Sequence, residues 1–224
     1  YVELIRQLSP TDETLCTYID VLDRQSTRLK KLIDDLLEAS KASSGVLNVI
    51  PAPCEVGVLL EQVQGEYAER LHAHDLNLIV QTPDKTLTVL ADGRHLGRIF
   101  GNLMNNIIKY AQPGTRVYLD ARAGLDPAAP GGSRPVAIIT FRNVSAEPLN
   151  IPAEELLERF VRGDSSRSTE GSGLGLSIAT SLTAIQGGDF RLTIDGDLFK
   201  VRLTFPLYTP ADAAQAASSG KETP

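Results

Sequence analysis

The chain has 224 residues, 42% of them hydrophobic, with 28 acidic against 22 basic side chains and a net charge of −6. That length and apolar content allow one ordinary domain plus a smaller element and exclude global disorder. No basic face and no interleaved aromatics can be read along the chain, so nucleic acid is excluded as a partner, because affinity there rests on clustered Lys and Arg. Cys16 and Cys54 are too few and too casually placed for a disulfide framework or a zinc site, and read as reduced thiols of a cytosolic protein. No apolar run is long enough to span a bilayer, and no signal peptide is present. The chain opens on Tyr1, directly into a helical pattern, and so reads as a piece of a longer protein whose upstream membrane anchor is left open.

Residues 1–8 look like the last turns of a helix that ends at Ser9-Pro10, because the residue before proline avoids helical geometry. Ser9 and Pro10 can then open a second helix, with Asp12 and Glu13 placing negative charge in its first turn. It runs to about Ser43. Its apolar stripe, Leu15, Ile19, Leu22, Leu29, Ile33 and Leu36, is narrow and has to be buried against other helices, which implies a bundle made by two chains. The alternative is an ordinary amphipathic helix packed on its own domain.

Gly45 ends that helix and the composition changes. Strands are predicted at Val46–Ile50, Leu76–Gln81, Thr86–Ala91, Arg116–Arg122, Val136–Asn143, Phe190–Ile194 and Phe199–Phe205, and helices at Val56–Ala73, Gly93–Ala111, Ala153–Phe160 and Ser172–Gln186. The mixture lacks a strict βαβ alternation, which predicts an α+β two-layer sandwich rather than a doubly wound sheet. Residues 123–134 read as a hairpin loop, and 209–224, rich in Ala and Ser without apolar periodicity, as a disordered tail. Three parts follow: a partial helical hairpin over 1–44, the main domain over 45–208, and the tail.

Two blocks carry chemistry. In Asn102-Leu-Met-Asn-Asn-Ile-Ile-Lys-Tyr-Ala111, Asn102 and Asn106 are four apart and share a helix face, with Lys109 on the same side. In Gly171-Ser-Gly-Leu-Gly-Leu-Ser-Ile-Ala179, alternating glycines run into an apolar helix that opens from Ser172 onward. Glycine there lets backbone N–H groups approach phosphate oxygens. A dinucleotide fingerprint would need glycine at Leu176, and a Walker loop would need Gly-Lys-Ser/Thr; neither is present. Carboxamide oxygens for a hydrated cation, a lysine charge and a helix start together suit ATP.

These blocks resemble the catalytic ATP-binding domain of sensor histidine kinases, of the Bergerat type shared with DNA gyrase, a heat-shock chaperone and mismatch-repair ATPases. Asn102–Ala111 is similar to the asparagine box, Glu158-Arg-Phe160 to the phenylalanine box and Gly171–Leu176 to the second glycine box. Ser26–Glu38 resembles the second helix of the dimerisation and phosphotransfer hairpin. The resemblance implies that Asn106 coordinates Mg²⁺, Asn102 supports the metal or phosphates, Lys109 pairs with phosphate oxygens and Tyr110 lies against adenine or ribose, unless it is a plain core aromatic. Phe160 would anchor a nucleotide lid, Val161–Glu170, in which Arg162 and Arg167 reach the γ-phosphate. Gly171, Gly173, Leu174 and Gly175 would approach the phosphates through their backbone.

Two departures stand out. The first glycine box has Asn143 where the family has an adenine-binding aspartate, and no glycines; an Asn can still accept through its carbonyl and donate through its amide. The phosphoacceptor box is absent, since His72, His74 and His95 read as surface or capping residues. The resemblance implies ATP and Mg²⁺ as ligands, a response regulator and a second copy of the chain as partners, and a membrane-anchored parent. A degenerate nucleotide-sensing or scaffolding module is the alternative.

Overall fold

The computed structural model describes residues 5, 13–43, 47–82, 87–127, 133–150, 152–157 and 173–208. A long helix, α1 (Glu13–Ser43), comes first. After it come β1 (Ala52–Glu55), α2 (Val56–Ala73), β2 (Asn77–Gln81), β3 (Thr88–Ala91) and α3 (Gly93–Tyr110). The chain continues through β4 (Arg116–Asp126), β5 (Arg134–Val144), the short α4 (Ala153–Leu156), α5 (Gly175–Ile185), β6 (Asp189–Asp195) and β7 (Leu198–Pro206).

Five strands form one sheet in the order β2-β4-β5-β7-β6, with β2 parallel to β4 and the remaining pairs antiparallel. Alternation along the central strands decides its two faces. Val117, Leu119 and Ala121 of β4, Ala137, Ile139 and Phe141 of β5, and Val201, Leu203 and Phe205 of β7 point into the core. The helices complete that core. On α3 the buried positions are Leu96, Ile99, Phe100, Leu103, Met104, Ile107 and Ile108, the three-and-four spacing of one helix face. Each such side chain contributes about 1.5–3 kcal/mol by leaving water. This is the expected α+β two-layer sandwich.

Helix ends follow from local chemistry. α2 occupies the predicted span and stops because Asp75 takes a left-handed conformation (φ 54°), which brings the Leu76 N–H back onto the Leu71 carbonyl at 2.9 Å. α3 starts at Asp92, whose side chain accepts from the Arg94 N–H. Gly175, rather than Ser172, opens α5, since Gly173 holds φ +70°, which no helix accommodates. α4 is helical over Ala153–Leu156 and ends at its C-cap Leu157; the remaining predicted positions, 158–160, lie outside the described residues.

Other expectations need correction. Residues 47–50 are not a strand: Pro51 follows them, and the Ile50 N–H is taken by the Asp92 carboxylate at 3.0 Å. The strand here is β1, which forms a separate two-stranded ribbon with β3. β4 and β5 reach further into the hairpin than predicted, to Asp126 and from Arg134. A basic face does exist: it is assembled on the outward side of the sheet from alternate residues of separate strands. The predicted tail, 209–224, and all of residues 1–8 except Ile5 lie outside the described residues.

α1 touches α5. Of its predicted stripe, Ile19 is buried, whereas Leu15, Leu22, Leu29, Ile33 and Leu36 are exposed. No described helix is long and apolar enough to cross a membrane.

Candidate nucleotide site

The glycine block meets the asparagine helix. A Cβ on Gly175 would come within 3.9 Å of both Cβ and Oδ1 of Asn102. Residues 73 positions apart therefore face each other across a gap that one methyl group would close, because α3 and α5 pack side by side on the inner face of the sheet. Gly173, with its left-handed backbone, turns the chain into α5, and Leu174 at the N-cap supplies no side-chain cap. The first N–H groups of a helix have no partner within it, so this end of α5 presents donors and a partial positive charge.

The asparagines of α3 separate by role. Asn102 is half-buried, and its Nδ2 is buried with no hydrogen-bond partner. Such an atom is costly unless something else accepts from it. Asn106 lies one turn on, half-buried on the same face. Asn105 points to α2 instead, accepting from Arg70 Nη1 at 2.9 Å while the Arg70 guanidinium lies 5.3 Å from the Tyr67 ring centre. At the end of the helix, Lys109 Nζ donates to the Tyr110 hydroxyl at 2.7 Å and lies 4.6 Å from that ring's centre. Lysine and tyrosine thus form one half-buried pair.

Asn143 sits on β5, two residues beyond Phe141 and on the same inward side. It is 4% exposed, its Nδ2 donates to the Val144 carbonyl at 3.1 Å, and its Oδ1 is buried without a partner. The strand end is stitched to the end of α3: Gln112 N–H donates to Val144 O at 2.9 Å, and Ala146 N–H to Tyr110 O at 2.8 Å. An open concavity bounded by Gln112, Ser145, Leu149, Ile194 and Asp197 adjoins this junction; Asn102, Asn106 and Lys109 do not line it. Phe160, Arg162, Arg167 and Gly171 lie outside the described residues.

The histidines serve other ends. His74 caps α2, its Nδ1 2.9 Å from the Arg70 carbonyl, and His72 is exposed in the last turn. His95 sits 3.8 Å from the Asp92 carboxylate and 3.3 Å from the Asn48 carbonyl.

Sequence reasoning missed Asp92. It is 2% exposed and accepts from the Ile50 N–H, the Arg94 N–H and the Arg94 guanidinium, the last at 2.8 Å. Its own N–H donates to Gln186 Oε1 at 2.8 Å. One residue thereby ties the segment after α1 to the start of α3 and the end of α5. The Arg94 guanidinium holds its carboxyl well below the usual carboxylate range, against the opposing pull of burial. Burial and the nearby Asp92 charge push the Cys54 thiol up, so it stays neutral. The signal available was Asp directly before a helical pattern, an N-cap signature.

Neutral carboxamides, one lysine and an open helix start, gathered over the inner face of a mixed sheet, suit a polyanion, and this is a nucleoside-triphosphate-binding domain. The chain belongs to the histidine kinase-, DNA gyrase B- and HSP90-like ATPases, a family it matches over residues 91–209. Within it, the chain is the ATP-binding catalytic region of a sensor histidine kinase, and the scaffolding alternative is not favoured. It is 27% identical over 199 residues to the sensor protein VanS of Enterococcus faecium, covering 88% of this chain and 49% of that protein. It is 30% identical over 187 residues to the histidine-protein kinase BaeS of Escherichia coli K12, covering 82% and 36%. It thus spans about half or less of these relatives' length. The histidine kinase AdeS of Acinetobacter baumannii has the same fold at a TM-score of 0.68 and 16% identity, over 92% of this chain and 90% of that one. Full-length ShkA, solved with AMPPNP, matches at 0.73 and 22% identity, over 89% and 40%.

Proposed function

We propose that ATP lies between α3 and the start of α5, with its phosphates at Asn102, Asn106, Lys109 and the first N–H groups of α5, and its adenine at Asn143. The observation that carries this reading is the open space that Gly175 leaves in front of Asn102, beside an unpartnered buried amide. The residues fit Mg²⁺ in one way. Among the described residues no group of three or more His, Cys, Asp or Glu side chains could hold an ion, and Asn106, half-buried on the face of α3 that carries Asn102, would offer Mg²⁺ its side-chain carbonyl. When bound, the ion neutralises phosphate charge. The chain's own work is positional: Asn102 accepts or donates at the phosphate side, Lys109 leaves Tyr110 for a phosphate oxygen, and α5 contributes its dipole.

In the intact protein the γ-phosphoryl group passes to a histidine imidazole, forming N–P as the β,γ bridge bond breaks and ADP leaves. An aspartate of a response regulator then takes it. α1 belongs to a dimerisation hairpin over 1–44, packed against a second copy, and the parent is anchored at a membrane. In this reading Phe160 anchors the lid, Arg162 and Arg167 serve the γ-phosphate and Gly171 the phosphates, all four outside the described residues.

Titration of the chain with ATP at varied Mg²⁺ tests this reading. Asn106→Asp keeps the size of the side chain but changes its charge and removes the amide donor. An unaltered affinity and metal dependence in that variant would rule out the assigned role.

A further inference from the structure

The side of the sheet away from the helices carries Arg116 and Arg122 of β4, Arg142 of β5, Lys200 and Arg202 of β7, and Arg191 of β6. Their neighbours in sequence, among them Val117, Phe141, Val201 and Leu192, pack in or against the core, which sends these six outward. Four carboxylates, Asp120, Asp126, Asp189 and Asp195, share the face, and Asp126 lies directly opposite a seventh cation, Arg134 of β5. The overall charge runs the other way, with 28 acidic residues to 22 basic.

Two of the cations are paired, Arg142 with Asp120 at 2.6 Å and Arg191 with Asp189 at 2.8 Å. Arg116, Arg122, Lys200 and Arg202 make no ion pair among the described residues. The register also sets like charges directly opposite one another: Arg142 faces Lys200, and Arg191 faces Arg202. Such pairs destabilise a sheet. Charges kept against their own repulsion point to a use outside the fold.

We propose that this face docks an acidic protein domain, weakly and reversibly. Six of the seven cations are arginines, whose planar forks match carboxylates in pairs. The Arg142 guanidinium lies 5.2 Å from the Tyr118 ring centre, and arginine with tyrosine is the composition of interface anchors. From strand spacing and rise the face measures roughly 20 Å by 20–30 Å, below the roughly 800 Å² per partner of a standard stable interface. A transient partner fits that size. The interleaved carboxylates disfavour a phosphate lattice, whether nucleic acid or lipid headgroup, and among the described residues none of the exposed large apolar side chains stands on this face to anchor a membrane.

The test uses the full chain and labelled poly-L-glutamate, read by fluorescence anisotropy at low and high salt. Binding should weaken at least tenfold in Arg122→Gln/Lys200→Gln/Arg202→Gln. It should change less than twofold in Arg24→Gln/Arg28→Gln/Lys30→Gln, which removes the same charge from α1. ATP affinity should be unchanged in both. The sheet variant should also melt higher by about 1–3 °C, since like-charge repulsion is relieved. Unchanged polyglutamate affinity in the sheet variant overturns the proposal, and so does a lower melting temperature, which would show that the charges hold the fold. Tighter binding to a single-stranded oligonucleotide or to phosphatidylserine vesicles than to polyglutamate would assign the face to those partners instead.

Discussion

Asn143 presents a buried oxygen with nothing to accept. If adenine donates its amino group there, removing the side chain strands that donor. Asn143→Ala is therefore expected to weaken ATP binding by roughly 1–3 kcal/mol, and to affect GTP, which has a carbonyl at that edge, much less. Competition of both nucleotides against one fluorescent analogue measures the difference, and an unchanged ATP-to-GTP ratio in a folded variant moves the adenine contact elsewhere. Asn143→Asp should keep or improve ATP binding, since a carboxylate accepts more strongly. Gly175 asks a separate question. A Cβ there meets Asn102 at 3.9 Å, ordinary contact, and alanine favours a helix, so Gly175→Ala should fold as well as the parent. Its methyl would fill the space between α5 and Asn102, so ATP affinity should fall about tenfold; unimpaired titration would mean the phosphates do not approach there. The two motifs were separately legible because helical spacing and alternating glycines are local signals. Asn105 shows the limit: adjacent to Asn106 and chemically identical, it faces α2 and binds Arg70, a distinction set only by packing.

Among the elements, α2 and α3 were legible nearly to the residue, since long apolar periodicity and Asp or Gly at the ends fix them. The segment before β1 was not. Val46–Ile50 is apolar enough for a strand, yet Ile50 spends its N–H on Asp92, a partner 42 residues away. Replacing Asp92 by Asn keeps its shape but removes the charge that three kinds of donor share. Asp92→Asn should cost about 1–3 kcal/mol, read as a shift in urea midpoint with unchanged slope. The sign of its pH dependence follows from a folded-state pKa below the unfolded one. The stabilisation is complete above about pH 5 and is lost as pH falls through the ordinary carboxylate range toward the folded value. The stability gap between parent and variant should therefore narrow on acidification; a constant gap would mean that Asp92 is not charged in the fold.

At the scale of the molecule, the mixed two-layer sandwich was legible from the disorder of its strand and helix sequence, but the sheet's basic face was not. Its cations alternate with core residues on separate strands, and only the pairing register brings Lys200 beside Arg142. The exposed stripe of α1 makes a claim on a second copy. Leu29→Asp/Ile33→Asp should shift the chain from dimer to monomer in light scattering at micromolar concentration, leaving ATP affinity intact. A parent chain already monomeric there would remove α1 as the dimer seam. Isolated chains incubated with ATP should gain no acid-labile phosphate on His72, His74 or His95. The sheet has one further property. Its ladder pairs Val144 with Leu198, and the Ser145 N–H closes onto Asp197, so residues 146–188 leave the sheet at the end of β5 and return only at Asp189, on the edge strand β6 beyond β7. The β6–β7 turn at Gly196 fixes its register without them. A change of length between β5 and β6 thus falls outside every strand pair of the sheet. A catalytic platform with its variable part spliced outside the hydrogen-bonded ladder can diversify nucleotide turnover without being refolded.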